Sequence, residues 1–370
     1  MTRNYHLLGK IYQVNTIESF EGEILHKELE IYPIAAINDN ADITINYLKK
    51  LENKTPILKN PSTHSYYRNS FRWELINASI EFYFSNNQLT QIDFCIKQGS
   101  KVRAIANKWF SYQFTNRKES IGFIFHELVL VPSAFFFPDL SVVHASAIDD
   151  DGVILFGGTG GVGKTSLELE LCNHHKKSFF ADDIVVVNNK GEAFPNLSYP
   201  KIYGYNLINN ADLRKKIFSE AGFMDKFHWQ TRKSIDPAIV RRRVNPVELY
   251  DQVSNQSAKL KAFYILVKDG TIKQIEKRKI QKEEASKLNK LVLETEYQVF
   301  YRHMLWDEFN SLIASSDPRL SYANLTKRIE QNFLSALANA ETYVIKIPLK
   351  INHNEFLKQM SAIINTGSDN

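Results

Sequence analysis

The segment Gly158-Thr159-Gly160-Gly161-Val162-Gly163-Lys164-Thr165 meets the pattern G-x-x-x-x-G-K-[ST], the Walker A or P-loop spacing. Glycines let the backbone wrap so that successive N–H groups point inward at phosphate oxygens, and the helix that follows adds its positive N-terminal end. Lys164 is read as an exposed cradle side chain reaching the β and γ phosphates of ATP. Thr165 is read as a Mg²⁺ ligand through its hydroxyl, and Ser166 as the last nucleotide-binding position. A flexible glycine-rich turn could match the same letters by chance. The apolar strand Val153-Ile154-Leu155-Phe156 directly before it and the helical segment directly after it favour the phosphate cradle.

Phosphoryl transfer to an alcohol also needs a carboxylate at the metal and a base for the acceptor proton. Asp182-Asp183, which begins 18 positions beyond Lys164, follows an apolar stretch and can divide those roles. If the strand continues through them the two side chains face opposite ways, and Asp183 is taken as the base and Asp182 as the metal carboxylate. His144 lies in an apolar strand before the loop, where a near-neutral pKa would let it contact phosphate or tune the acids. Arg241-Arg242-Arg243 is the densest positive cluster and is placed in a loop, from which arginines could clamp phosphates or an acidic peptide. Lys201 joins them as a candidate substrate contact. Tyr66, Tyr67, Phe71 and Trp73 read as core.

The elements that must position these residues follow from periodicity. Residues 1–115 are mainly β, with Ile80–Phe84 and Ile92–Ile96 forming a hairpin across Ser85-Asn86-Asn87-Gln88 and a loop from Asn53 to Ser62. Ile121, Phe125, Leu128 and Val131 share one helical face, and Pro132 is expected to end that helix. Leu140–Ile148 and Val153–Phe156 form a hairpin that runs into the glycine loop. A helix over 166–174, a strand into the acid pair and a further hairpin through Phe194 come next. Beyond lie a helix over 210–221, a charged loop through Arg243, and a strand at 262–267 that turns back at Asp269-Gly270 into 272–275. Helices over 282–340, a strand at 343–347, a helix at 355–364 and a frayed end at 366–370 complete the chain. A hairpin before the loop and another after the acids imply an α/β fold with a mixed sheet rather than a doubly wound one, the strand ending at Ala181 lying beside the one ending at Phe156.

His144 to Val187, HASAIDDDGVILFGGTGGVGKTSLELELC followed by FFADDIVVV, resembles the HPr kinase family, whose nucleotide core is similar to that of phosphoenolpyruvate carboxykinases. The resemblance implies an ATP- and Mg²⁺-dependent kinase acting on a serine hydroxyl, with His144 near the phosphates and the acid pair at metal and base. It implies a kinase-like domain over 116–370, and the family's habit of assembling makes a homo-oligomer an expectation. Thr165 stands where HPr kinases usually carry serine, and no counterpart of the long motif that follows their acid pair is present. The chain therefore looks closer to divergent peptide or protein serine kinases than to HPr kinase itself.

The 370 residues are 44% hydrophobic and 24% charged, as in an ordinary globular enzyme. A net charge of +5 without long basic blocks points away from nucleic acid. Cys95 and Cys172 sit in apolar stretches without metal-ligand spacing and read as buried thiols of a reducing compartment. MTRNYHLLGK lacks the apolar core of a secretory signal, so a cytoplasmic location is expected. The apolar region 121–147 is broken by His126, Glu127, Pro132, Pro138 and Asp139, so no membrane span is expected. The leading function is a kinase that moves the γ-phosphate of ATP to a hydroxyl of a peptide, protein or small molecule. The rival is an ATPase or nucleotide switch without an acceptor. A carboxykinase would need a second metal site and an arginine set that the sequence does not present.

Overall fold

Alternating apolar side chains in Ala78–Ser85 and Gln88–Ile96 pair these strands antiparallel across Asn86 and Asn87, whose φ values of 49° and 60° are those of a two-residue hairpin turn. The computed structural model describes residues 1–36, 39–60, 63–97, 117–208, 210–219 and 221–365. Strands β1 (Thr2–Leu7), β2 (Lys10–Asn15), β3 (Ile43–Tyr47), β4 (Leu58–Asn60), β5 (His64–Tyr66), β6 (Ser70–Glu74), β7 (Ala78–Ser85) and β8 (Gln88–Ile96) form one sheet in the order β1-β2-β3-β8-β7-β6-β5-β4. A helix, Phe20–Leu29, carries the chain between the parallel strands β2 and β3; Ser19 caps it by accepting from the Gly22 N–H. β4 corrects the loop expected at 53–62, of which Pro61 and Ser62 lie outside the described residues. The parts of the mainly β reading at 98–115 and the frayed end at 366–370 lie outside them too.

Pro132 does not end its helix. The α-helical turn Arg117–Phe123 passes into a π-helical stretch, Ile124–Leu130, and then into Val131–Ala134. Val131 donates to the His126 carbonyl five residues back, so the change from π-helical to α-helical winding falls at Pro132.

The second sheet is built from β9 (Leu140–Asp149), β10 (Val153–Gly157), β11 (Ser178–Ala181), β12 (Ile184–Asn188) and β13 (Glu192–Phe194), followed, after the separate β14 (Lys201–Tyr203) and β15 (Arg241–Arg243), by β16 (Ala258–Asp269), β17 (Glu276–Lys279) and β18 (Glu341–Pro348). It is mixed, with β10 antiparallel to β9 and parallel to β16. The strand ending at Ala181 is not beside β10. β9 lies between them, long enough to take β10 on one edge and β12 and then β11 along the other.

Three further expectations are corrected. Arg241–Arg243 is a strand paired with Lys201–Tyr203, not a loop. The charged region holds a helix, Phe223–Ile235, buried through His228 and Trp229. Residues 272–275 do not fold back on β16, because β18 runs parallel to β16 and takes that edge; β17 pairs with β18 instead. The helices at 164–174, 211–217, 282–296, 298–313, 322–336 and 353–365 fall where periodicity put them.

β9 separates two apolar layers. Val142 and Ile148 join a core that runs from Tyr5 to Ile364, whereas Val143, Ala145 and Ala147 join the layer on the opposite face. By the two-residue alternation of a strand, His144 and Ser146 fall in the row of Val142 and Ile148, which puts two polar groups in an otherwise apolar face. Cys95 and Cys172 are both buried and unpaired.

Candidate functional site

β10 delivers the chain into the glycine loop, and backbone geometry there requires glycine. Gly158 has φ 127°, and a Cβ on it would sit 2.5 Å from the Leu266 carbonyl oxygen. Gly163, at φ 104°, turns the chain straight into the helix Lys164–His174. The loop already takes an anionic oxygen: Gly160 donates its N–H to Glu296 Oε1 at 3.0 Å. Lys164 is buried, 6% exposed, which corrects its reading as an exposed side chain. Its Nζ donates to the carbonyls of Gly158 at 2.8 Å and Thr159 at 2.9 Å and lies 3.3 Å from His144 Nε2. Burial lowers its affinity for a proton.

The same contact fixes His144. An ammonium donates only, so Nε2 accepts and the ring proton resides on Nδ1, which has no hydrogen-bond partner among the described residues. Burial first, and then the Lys164 charge, pull the His144 pKa down to about 4, so the imidazole is neutral at pH 7.

Asp182 and Asp183 do not continue a strand. The Ile184 N–H reaches back to the Asp182 carbonyl at 2.9 Å around Asp183, whose φ of 68° is left-handed. This tight turn moves the chain from the β11 pairing to the β12 pairing on the same edge of β9, and it sends the two carboxylates to different partners. Asp182, 5% exposed, accepts from Ser146 Oγ at 2.8 Å, Thr165 Oγ1 at 3.0 Å and the Lys201 N–H at 3.3 Å. Burial and then the neighbouring Asp183 raise its pKa. Asp183, with about a third of its side chain exposed (34%), accepts from Lys201 Nζ at 2.6 Å. Burial works to raise its pKa, but the Lys201 ammonium outweighs it and holds the carboxyl well below the usual range.

Several members of the site are invisible to motif reading. Lys201 Nζ also meets Glu127 Oε1 at 3.3 Å, and Glu127 Oε2 accepts from Tyr297 OH at 3.5 Å. Glu127 projects from the π-helical stretch, a form often found at functional sites. Tyr297 stands edge-on to His144, ring centres 6.5 Å apart. Glu168, one helical turn beyond Thr165 and fully buried, accepts from Tyr250 OH; burial, reinforced by Asp182, raises its pKa well above the carboxylate range. These contacts span 74 to 170 positions in sequence, and only Glu127 left a trace, as a charge interrupting an apolar run.

Of the sequence candidates, the fold brings His144, Lys164, Thr165, Asp182, Asp183 and Lys201 together through the contacts above. The arginines are otherwise engaged. Arg242 is ion-paired to Asp225 at 2.7 Å, Arg243 to Glu28 at 3.2 Å, and Arg241 Nη1 donates to Tyr203 OH at 3.0 Å. Arg243 is nevertheless opposite Lys201 in the β14–β15 register. Among the described residues no group of three or more His, Cys, Asp or Glu side chains could hold a metal by itself. Thr165 Oγ1 and Asp182 Oδ1 form an all-oxygen pair, which fits Mg²⁺ completed by phosphate oxygens and water. Among the described residues no helix is long and apolar enough to cross a membrane.

No family model matches the chain, and no curated protein matches it. Among solved structures, the HPr(Ser) kinase/phosphatase from Coxiella burnetii is similar over 62% of this chain and 97% of its own, at 13% identity and a TM-score of 0.27. At that TM-score the likeness is too loose to carry a fold or an activity across.

Proposed function

We propose that the chain is an ATP-dependent kinase that transfers the γ-phosphate to a hydroxyl, serine by preference, of a peptide or protein. The observation that carries this reading is the junction of two features, a GTGGVGKT loop feeding a helix and an acid pair whose first member accepts from the loop's Thr165 at 3.0 Å. A phosphate loop needs only backbone N–H groups and a lysine to bind. An acid pair split between two environments is what transfer adds.

Thr165 and Asp182 would hold Mg²⁺, which supplies charge neutralisation at the phosphates when bound. Lys164 is buried beside the loop, so its ammonium acts in a setting of low dielectric. Asp183 is the accessible carboxylate and takes the acceptor proton. Lys201 keeps it ionised and aimed, and is itself held by Glu127. His144, neutral, keeps Lys164 directed at the loop without adding a second positive charge.

Single-turnover transfer from γ-labelled ATP to serine-containing peptides tests the assignment. Asp183→Asn keeps the size of the side chain and its tolerance of a left-handed φ, but accepts no proton. Loss of a general base predicts a rate lower by about 10²–10⁴ with Mg·ATP affinity retained. An unchanged transfer rate would remove Asp183 from the chemistry.

A further inference from the structure

A separate cavity of about 230 Å³ opens against Gly161, Val162 and Gly163 of the glycine loop. Its other walls are Ser166, Tyr205, Lys268, Ile351, His353 and Phe356. We propose that it holds the heteroaromatic base of the nucleoside triphosphate, with Tyr205 and His353 as stacking surfaces and Lys268 as a donor to the base edge. This rests on the reading of the loop as a phosphate site and extends it to the other end of the same ligand.

Size is the first argument. Whole-ligand pockets begin at about 300 Å³, so this cavity suits one ring system rather than a complete nucleotide or a folded peptide segment. Position is the second. The base of a bound nucleotide is tethered to its phosphates, and this cavity shares its wall with the loop that would hold them. A single segment reaches both ends: Lys201 meets Asp183, Asn206 Nδ2 donates to Ser166 Oγ at 2.8 Å, and Tyr205 between them lines the cavity.

Chemistry is the third. Phe356 packs on the loop so closely that a Cβ on Gly163 would lie 2.8 Å from its ring, and it forms a buried floor. Tyr205 and His353 stand 6.3 Å apart at 70°, both with exposed surface. Burial lowers the His353 pKa, so the ring is neutral and stacks as an aromatic, while burial pushes the Tyr205 phenol up to about 12 and keeps it protonated. Lys268 Nζ sits 5.5 Å from the centre of the Phe356 ring and can donate to a ring nitrogen or carbonyl.

Equilibrium titrations of wild type, Tyr205→Leu and His353→Ala with Mg·ATP and with Mg·tripolyphosphate, which carries phosphates but no base, test the proposal. Wild type should prefer ATP. Each variant should lose ATP affinity by about 5- to 150-fold, the usual range for removing one base-stacking ring, with tripolyphosphate affinity unchanged. Equal affinity of wild type for the two ligands overturns the base site and leaves the phosphate reading standing. Parallel losses for both ligands overturn it as well, since the rings would then be supporting the loop. A wild type that binds neither removes the phosphate reading and the base site together. His353 is the exposed first residue of its helix, so His353→Ala gives the readout even if Tyr205→Leu fails to fold.

Discussion

Asp182→Asn separates function from stability in a direction that only a functional carboxylate predicts. Asp182 accepts three hydrogen bonds, from Ser146 Oγ, Thr165 Oγ1 and the Lys201 N–H. An asparagine satisfies all of them: its oxygen accepts from the Lys201 N–H, and its NH₂ donates to hydroxyls that can rotate to accept. What the substitution removes is a buried charge whose pKa is raised by burial and by Asp183. A carboxyl with a raised folded pKa contributes stability fully below its unfolded pKa of about 3.9 and loses it as pH rises through the folded value. Wild type and variant should therefore come closest below about pH 4, where the carboxyl is protonated in both states, and the variant should become the more stable as pH rises through neutrality. The metal should respond the other way. Losing the charge at a Mg²⁺ carboxylate removes about 1.5–3 kcal/mol, the scale of a hydrogen bond to a charged group, or about 10- to 150-fold in Mg-dependent nucleotide affinity. Thermal unfolding across pH and ATP titrations with Mg²⁺ or with a chelator measure both. A variant that is less stable at neutral pH, or that keeps the full Mg²⁺ enhancement, would refute the assignment.

Lys164→Met should reduce nucleotide affinity by at least about thirtyfold, the scale of losing a buried charge pair worth about 2 kcal/mol or more, and should lower the unfolding midpoint by a smaller measure, because the Gly158 and Thr159 carbonyls and His144 Nε2 lose their donor while a cation disfavoured by burial is removed. ATP titration and thermal unfolding of the same sample check it. Glu168→Gln should be at least as stable as wild type at neutral pH and equal to it near pH 4, because the Glu168 pKa is raised and its charged form opposes folding. Denaturant unfolding at the two pH values measures the difference, and a variant less stable at neutral pH would mean that the buried side chain is ionised there.

The parts of the site carried by local pattern were legible in the sequence. The glycine spacing, the hairpin before it and the helix after it are all short-range features, and the acid pair follows within one helix and one strand. The arrangement of those pieces was less so. That β9 separates β11 from β10 depends on which long strand takes which edges, a choice made by packing rather than by periodicity. The opposite facing of Asp182 and Asp183 was inferred from a continuing strand, yet their divergence comes from a tight turn with Asp183 left-handed. Pro132 read as a helix end because an α-helix cannot absorb it internally, whereas a π-helical stretch ahead of it lets the helix resume. Arg241–Arg243 read as a loop because the run has no apolar alternation and leads into Val244-Asn245-Pro246. Here Asp225, from the preceding helix, and Glu28, 215 positions away, neutralise two of them. The Glu127–Lys201–Asp183 chain crosses three elements with no common period, so nothing local announces it.

The fate of the γ-phosphate tests the central claim most directly. Mg·ATP labelled at that position, incubated with the protein and a library of serine-containing peptides, should yield ADP matched by an equal amount of phosphate ester on peptide serine, with both lost in Lys164→Met. ADP matched instead by free phosphate, with no ester formed on any hydroxyl, would make the protein an ATPase or switch and contradict the kinase.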